Sequence, residues 1–212
     1  MKRFFAILLC CALSGAALAE DICRRLQGNT VLGDNPEALA ILQEYLATMP
    51  APQNKVVPIV CSGDGDAPFP TPTGIKDEDV GSTKYLLLWY DPRFHKELRS
   101  HLSAFIAHEM GHWSSLNPWA CNWLSRANNR VGYIYCEHEV DVVGARWVGR
   151  QAIFNMLQAM IDRYRTFSKH EVVPLFRQII IDNMTTRMCL LGKIDDDTID
   201  LTKCPIPKRK GW

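Results

Sequence analysis

The segment His108-Glu109-Met110-Gly111-His112 constrains the fold of this chain more than any other feature of its sequence. Two histidines four residues apart project from one face of an α-helix, about 40° apart around its axis, so both rings can bind one metal ion. The glutamate between them lies where it can hold a water molecule on that ion. The segment therefore predicts a helix near the middle of the chain that carries part of a metal site.

A third ligand has to come from elsewhere in the chain, because catalytic zinc takes three protein ligands and keeps one position for water. One known pattern, H-E-x-x-H-x-x-G-x-x-H, does not fit, since Ser115 and Pro118 occupy its glycine and third-histidine positions. A second pattern takes a glutamate from another helix, with an aspartate one turn later. The cluster Glu137-His138-Glu139-Val140-Asp141 fits this second pattern.

Helical geometry separates the acids of this cluster. Glu137 and Asp141 are four residues apart and share a face, whereas Glu139 is rotated by about 200° from Glu137. We expect Glu137 to be the third ligand and Asp141 to accept the free ring N–H of one histidine, which fixes its tautomer. His138 and Glu139 are expected at the rim or in solvent. The alternative is an acidic helix start that the helix dipole favours, with no metal.

Together these motifs resemble a known family. The segment 108–112, followed by Glu137 and Asp141 and then Gly144-Ala145, is similar to the gluzincin zinc metallopeptidases over about residues 80 to 160. It is most similar to the small-core branch of prenyl-protein and heat-shock membrane proteases and their soluble bacterial relatives. The link of 24 residues before Glu137 is closer to thermolysin-like enzymes and to intracellular peptidases that cleave phage repressors. The resemblance implies an α+β fold: a mainly helical zincin-like domain with a small β-sheet.

The resemblance also implies a role for each matching residue. His108, His112 and Glu137 would bind Zn²⁺, Asp141 would support a histidine, and Glu109 would act as general base and acid in hydrolysis. The expected function is a zinc-dependent endopeptidase acting on proteins or peptides. One alternative is a cell-wall peptide hydrolase with the same chemistry. Another is a non-catalytic binding or regulatory protein that keeps zinc as a structural pin, against which the intact Glu109 argues.

Substrate-binding residues are left open by the sequence. The oxyanion formed during hydrolysis needs an electrophile besides zinc. Six residues are candidates: Tyr133, Tyr135, His138, Arg146, His170 and Arg187. The apolar run Tyr85–Tyr90 predicts a strand that either offers an exposed edge to a peptide or lies buried in the centre of the sheet.

The first nineteen residues are typical of a secretory signal. Lys2-Arg3 precedes the apolar stretch Phe4–Leu13, and Ala17-Leu18-Ala19 is an A-x-A cleavage site. Cleavage after Ala19 would leave 193 residues (212 minus 19), one metallopeptidase domain over 20–212. We expect a secreted or periplasmic protein whose mature chain does not span a membrane.

Charge and cysteine content bear on the binding partners of the protein and on its cellular compartment. Without Lys2 and Arg3 the chain has 22 basic and 23 acidic residues, which argues against a nucleic-acid binder. The resemblance implies proteins or peptides as partners. Six cysteines behind a signal peptide predict disulfides. The chain contains no C-x-x-C pair that would indicate zinc binding by cysteines. We expect sequential pairing: Cys23–Cys61, Cys121–Cys136 and Cys189–Cys204.

Hydrophobic periodicity and helix breakers predict the remaining elements. Helices are expected at about 34–48, 92–114, 136–163 and 172–190, strands at 56–60 and 85–90, and a loop over 62–73. Between the two metal-binding helices, Trp119 and Trp123 would pack on the core or line a cleft.

Overall fold

The computed structural model describes residues 35–51, 55–62, 71–114 and 129–192, together with Cys23, Cys121 and Cys204. The chain divides into two compact units, Met1–Arg93 and Phe94–Trp212. The described residues are mainly helical and contain a three-stranded sheet, in agreement with the expected α+β class. The predicted signal peptide at 1–19 and the side chains of Trp119 and Trp123 lie outside the described residues, and the single domain over 20–212 stays a prediction.

Helix α1 (Pro36–Ala47) belongs to the first unit. Asn35 caps it by accepting a hydrogen bond from the Ala38 amide at 3.1 Å, and proline occupies the first helical position, where its missing N–H has no cost. The sequence prediction placed the start two residues earlier, at Asp34. Its buried face contains Ala38, Leu42 and Leu46 and packs against the first strand.

The sheet of the first unit has strands β1 (Val57–Ser62), β2 (Thr73–Val80) and β3 (Thr83–Tyr90) in the order β1-β3-β2. Strand β3 pairs parallel with β1 and antiparallel with β2. It is therefore the central strand, and residues Tyr85–Leu88 are buried in succession. The alternative that Tyr85–Tyr90 is an exposed edge for a peptide is wrong, and the buried central strand is confirmed.

A disulfide lies in the core of this unit. Cys23 is linked to Cys61 on β1 across a Cα–Cα distance of 5.8 Å. Both cysteines are buried in a cluster with Ile59, Tyr85 and Leu87, which lie on one face of β1 and β3. The link attaches the N-terminal part of the chain to the sheet.

The described residues of the second unit form four helices, which follow the short 3₁₀ turn Pro92–Phe94. They are α2 (His95–Ser114), α3 (Arg130–Val148), α4 (Arg150–Thr166) and α5 (Pro174–Leu191). The buried rings of Phe94, Tyr164 and Phe167 pack in tilted and edge-to-face arrangements at centroid distances of 5.4–5.6 Å. Helix α2 is kinked at His101, whose φ and ψ are −135° and 28°.

The predicted single helix over 136–163 is wrong in two respects. Helix α3 begins at Arg130, where Asn129 caps it by accepting from the Gly132 amide at 3.0 Å. It ends at Gly149, which has φ +86° and separates α3 from α4. Only glycine adopts this backbone conformation without strain, so the chain turns there instead of continuing as one helix.

Two further disulfides join residues of the second unit. Cys121 pairs with Cys136 on α3, and Cys189 on α5 pairs with Cys204, at Cα–Cα distances of 5.4 and 5.7 Å. All three sequential pairings are thus confirmed. Such bonds persist in oxidising compartments. Among the described residues, no helix is both long and apolar enough to cross a membrane.

Candidate metal centre

Two histidines and one glutamate converge in the second unit. His108 and His112 lie on α2, and Glu137 lies on α3. The Oε2 atom of Glu137 is 3.4 Å from His108 Nε2 and 3.6 Å from His112 Nε2. Ligand atoms at zinc-bond length from one tetrahedral ion lie roughly 3.3–3.5 Å apart. These three residues, whose ligand atoms all lie within 4.8 Å of one another, could therefore hold a metal ion.

Two glycines bring the helices close enough for this convergence. A Cβ at Gly144 of α3 would lie 3.1 Å from the carbonyl carbon and oxygen of Ala107 and 3.2 Å from the His108 amide nitrogen. A Cβ at Gly111 of α2 would lie 2.8 Å from the carbonyl oxygen of Val140. Side chains at either position would push α2 and α3 apart, so glycine sets the spacing between the histidines and Glu137.

Asp141 orients the first histidine. Its side chain is fully buried, and Oδ1 accepts a hydrogen bond from His108 Nδ1 at 2.9 Å. With Nδ1 bonded in this way, the other ring nitrogen, Nε2, points to Glu137. Helical spacing predicts Glu137 and Asp141 on one face of the helix; both are buried, whereas Glu139 is exposed.

A third helix contributes a cation to the same cluster. Arg187 of α5 is 6% exposed and donates to both Asp141 oxygens, from Nε at 2.7 Å and from Nη2 at 2.6 Å. Its Nη1 lies 3.4 Å from Glu137 Oε2. From the sequence, Arg187 is only one of six candidates for stabilising the oxyanion. One signal marks it: it falls on the buried stripe of α5, four residues after Asn183 and four before Leu191.

Electrostatics hold both acids ionised. Burial alone would raise the pKa of Glu137, but the charges of His112 and Arg187 and hydrogen bonds from both histidines hold that pKa well below its usual range. Burial also opposes ionisation of Asp141, and Arg187 and His108 outweigh it, so its pKa is lowered. Both side chains are thus available as carboxylates, the form that a metal ion or a ligand-orienting hydrogen bond requires.

The same network charges His108 in the metal-free protein. Burial opposes the charge, but hydrogen bonds to Asp141 and Glu137 raise the pKa of His108 to about 9. A histidine must be neutral to bind a metal, so an ion at Nε2 has to displace this proton. The formal charges favour that exchange: Glu109, Glu137 and Asp141 are buried acids, and Arg187 is one buried cation, which leaves −2 for a divalent ion to balance.

Glu109, the expected general base, is also buried, with 7% of its side chain exposed. Its position on α2 lies about 100° around the axis from His108 and 60° from His112, so it borders the face that carries the histidines. No other acid of α2 is buried among the described residues.

The six oxyanion candidates separate by position. Tyr133 is one turn before Glu137 on α3, and burial together with the Glu137 charge raises the pKa of Tyr133 well above its usual value. Arg187 is bonded to the acids. Tyr135 packs against the cluster of Ile134, Leu190 and Cys204. His138 is partly buried, and Arg146 and His170 are exposed.

Comparison with family models, with curated proteins and with solved structures gave no match for this chain. The functional conclusions therefore rest on the geometry and chemistry of the site itself.

Proposed function

We propose that this chain is a secreted or periplasmic zinc-dependent endopeptidase of the gluzincin type, with a zincin-like fold in its helical unit. The observation that carries the proposal is the approach of His108 Nε2 and His112 Nε2 to the same Glu137 oxygen, at 3.4 and 3.6 Å. The buried Glu109 next to these ligands is the second feature that an enzyme of this kind needs.

The donor set favours zinc over calcium and magnesium. Two imidazoles and one carboxylate are a ligand combination of catalytic zinc, whereas calcium and magnesium prefer oxygen ligands alone. Three protein ligands leave a coordination position for water, which a structural zinc site with four ligands does not. The ligand count therefore supports a catalytic site rather than a structural pin.

The residues of the site divide the work of peptide hydrolysis. A bound zinc ion supplies a Lewis acid for the scissile carbonyl and acidifies water. Glu109 accepts a proton from the attacking water and transfers it to the leaving amine. Asp141 keeps the Nδ1–H of His108 engaged, so that Nε2 stays directed to the site.

The cellular location follows from two features. Three disulfides in a chain of this size are typical of a secreted or periplasmic protein. The basic start, apolar stretch and A-x-A site before Glu20 supply the export signal. We therefore expect the active form to be the chain cleaved after Ala19.

The direct test is digestion of an unbiased peptide library by the mature chain loaded with zinc. We expect cleavage of peptide bonds, loss of cleavage with a chelator, and recovery when zinc is added back. Glu109→Gln is expected to abolish hydrolysis while zinc content stays at the wild-type level, because the base is lost and the ligands remain. Exposed Glu139→Gln is the matched control and is expected to retain activity.

Two results would contradict the proposal. If the zinc-loaded protein cleaves no peptide, it is not an endopeptidase. If it digests peptidoglycan instead of peptides, it is a cell-wall peptide hydrolase. Full activity of Glu109→Gln would show that hydrolysis does not use this glutamate, and the mechanism would have to be discarded.

A further inference from the structure

Arg187 holds two acidic residues of the metal centre at once. Its Nε and Nη2 donate to the two oxygens of Asp141 at 2.7 and 2.6 Å, which is the bidentate geometry that an arginine fork forms with a carboxylate. Its Nη1 lies 3.4 Å from Oε2 of Glu137, the oxygen that also faces both histidines. Every nitrogen of this guanidinium therefore faces a carboxylate of the site.

The arginine also acts on the first histidine through a shared acceptor. Nη2 of Arg187 and Nδ1 of His108 are 3.3 Å apart, and both donate to Oδ1 of Asp141. A carboxylate oxygen has lone pairs for both donors. The carboxylate in turn keeps the proton of His108 on Nδ1 and leaves Nε2 directed to Glu137.

The helix that carries Arg187 is fixed close to this point. Leu190 of α5 is buried with Ile134 of α3 and with Cys204, and Cys189 packs against the same cluster. Cys189, two residues after Arg187, is disulfide-bonded to Cys204. Arg187 thus projects from a segment held by packing and by a covalent bond, as a group that positions others must.

We propose that Arg187 is a positioning residue of the metal centre, which keeps Asp141 and Glu137 in the orientation that lets His108, His112 and Glu137 bind one ion. This inference deepens the proposed function and rests on it. Because all three guanidinium nitrogens face Asp141 or Glu137, Arg187 acts through these acids and does not bind the substrate oxyanion. It is removed from the six oxyanion candidates.

Arg130 offers a matched control for a purely structural effect. It is 8% exposed, against 6% for Arg187, and it also joins α3 to α5. Its Nε donates to Asn183 Oδ1 at 3.3 Å, and its Nη2 lies 3.7 Å from Asp182. It precedes Glu137 by seven residues, about 10 Å along the helix, so it links the same helices at a distance from the metal centre.

The experiment measures zinc affinity of the full mature chain by competition with a chromogenic chelator, at a temperature where circular dichroism shows each variant folded. Arg187→Met is expected to weaken zinc binding by about 10–100-fold, the usual effect of losing a residue that supports a ligand. Arg187→Lys keeps the charge without the fork and is expected to fall between Arg187→Met and wild type. Arg130→Met is expected to bind zinc as wild type does.

Two further readouts separate positioning from stability. The visible spectrum of the Co²⁺-substituted protein is expected to change in Arg187→Met and to stay unchanged in Arg130→Met, because it reports ligand geometry. The double variant Asp141→Asn/Arg187→Met is expected to lose little more zinc affinity than the more impaired single variant, since Arg187 acts largely through Asp141. Should Arg187→Met not fold, Arg187→Lys carries the comparison.

The possible failures are distinguishable. Wild-type protein that binds no zinc would remove the proposed function itself. Wild-type affinity and an unchanged Co²⁺ spectrum in folded Arg187→Met, or in Arg187→Lys where that variant carries the comparison, would overturn the positioning role alone. An equal loss of zinc affinity in Arg130→Met would also overturn it, because the effect would then belong to general packing of α3 on α5.

Discussion

Replacing Gly144 with alanine tests whether the spacing of α2 and α3 sets the metal site. The new Cβ would lie 3.1 Å from two Ala107 backbone atoms and 3.2 Å from the His108 amide nitrogen, where ordinary contacts begin at 3.4 Å. The neighbours are backbone atoms of α2, so the helix has to move by a few tenths of an ångström. That movement would shift His108 on α2 relative to Glu137 on α3.

The expected cost combines two opposed effects. Overpacking in a well-packed interface costs about 1–3 kcal/mol. Alanine in a helix gains about 1 kcal/mol over glycine. The net loss of unfolding free energy is about 0–2 kcal/mol, or up to about 8 °C in melting temperature for a unit of this size. Zinc affinity is expected to fall by about tenfold, because ligand distances tolerate only about 0.2 Å.

Thermal unfolding by circular dichroism and chelator competition measure the two effects. Gly192→Ala is the control: Gly192 ends α5 at φ −64°, and its added Cβ would lie 3.5–3.6 Å from the nearest atoms, an ordinary contact. Gly192→Ala is expected to change the free energy of unfolding by no more than about 0.5 kcal/mol and to leave zinc binding unchanged. Wild-type stability and affinity in Gly144→Ala would refute the role assigned to the close approach of the helices.

Two more predictions concern the ligands. Glu137→Ala is expected to weaken zinc binding on the order of 100-fold, since one ligand of a four-ligand site contributes about 3 kcal/mol. Replacement of the exposed Glu139 by alanine is expected to leave zinc binding intact. The reverse order of affinities in chelator competition would mean that Glu139, not Glu137, is the ligand. Zinc affinity is expected to rise with pH by up to about tenfold per unit between pH 6.5 and 9. The reason is that His108 has a pKa of about 9, and below it the proton on the ring competes with the ion. Titration calorimetry that shows no pH dependence of zinc affinity over this range would contradict that competition.

Local features of the site could be predicted because they depend on helical spacing alone. Glu137 and Asp141 are buried and Glu139 is exposed, as a four-residue and a two-residue separation require. The disulfides follow the order of the cysteines along the chain, because each pair joins neighbours among the six cysteines from Cys23 onward. These inferences need no knowledge of how distant segments pack.

Other features depend on contacts that no local pattern contains. Strand β2 carries the charged run Lys76–Asp79, which does not resemble a buried strand, and it forms because it pairs with the apolar β3. Charged residues of this kind are common on edge strands. The break at Gly149 was missed because an isolated glycine is tolerated inside helices, and only its φ of +86° shows that the helix ends there.

Arg187 shows the same limit within the site. It lies 50 residues after Glu137 in the sequence, and its own neighbourhood only places it on a buried helical stripe. Its bonds to Asp141 and Glu137 arise from the packing of α5 against α3. A buried arginine has to meet an acid, so the stripe predicts that a partner exists but not which one.

The central claim is that one zinc ion binds between His108, His112 and Glu137, and an anomalous difference map at the zinc absorption edge, from crystals of the mature protein, tests it most directly. The account predicts one peak per chain, about 2.0–2.2 Å from both Nε2 atoms and a Glu137 oxygen. A zinc peak bound elsewhere, or no peak at these three residues in crystals soaked with zinc, would contradict it.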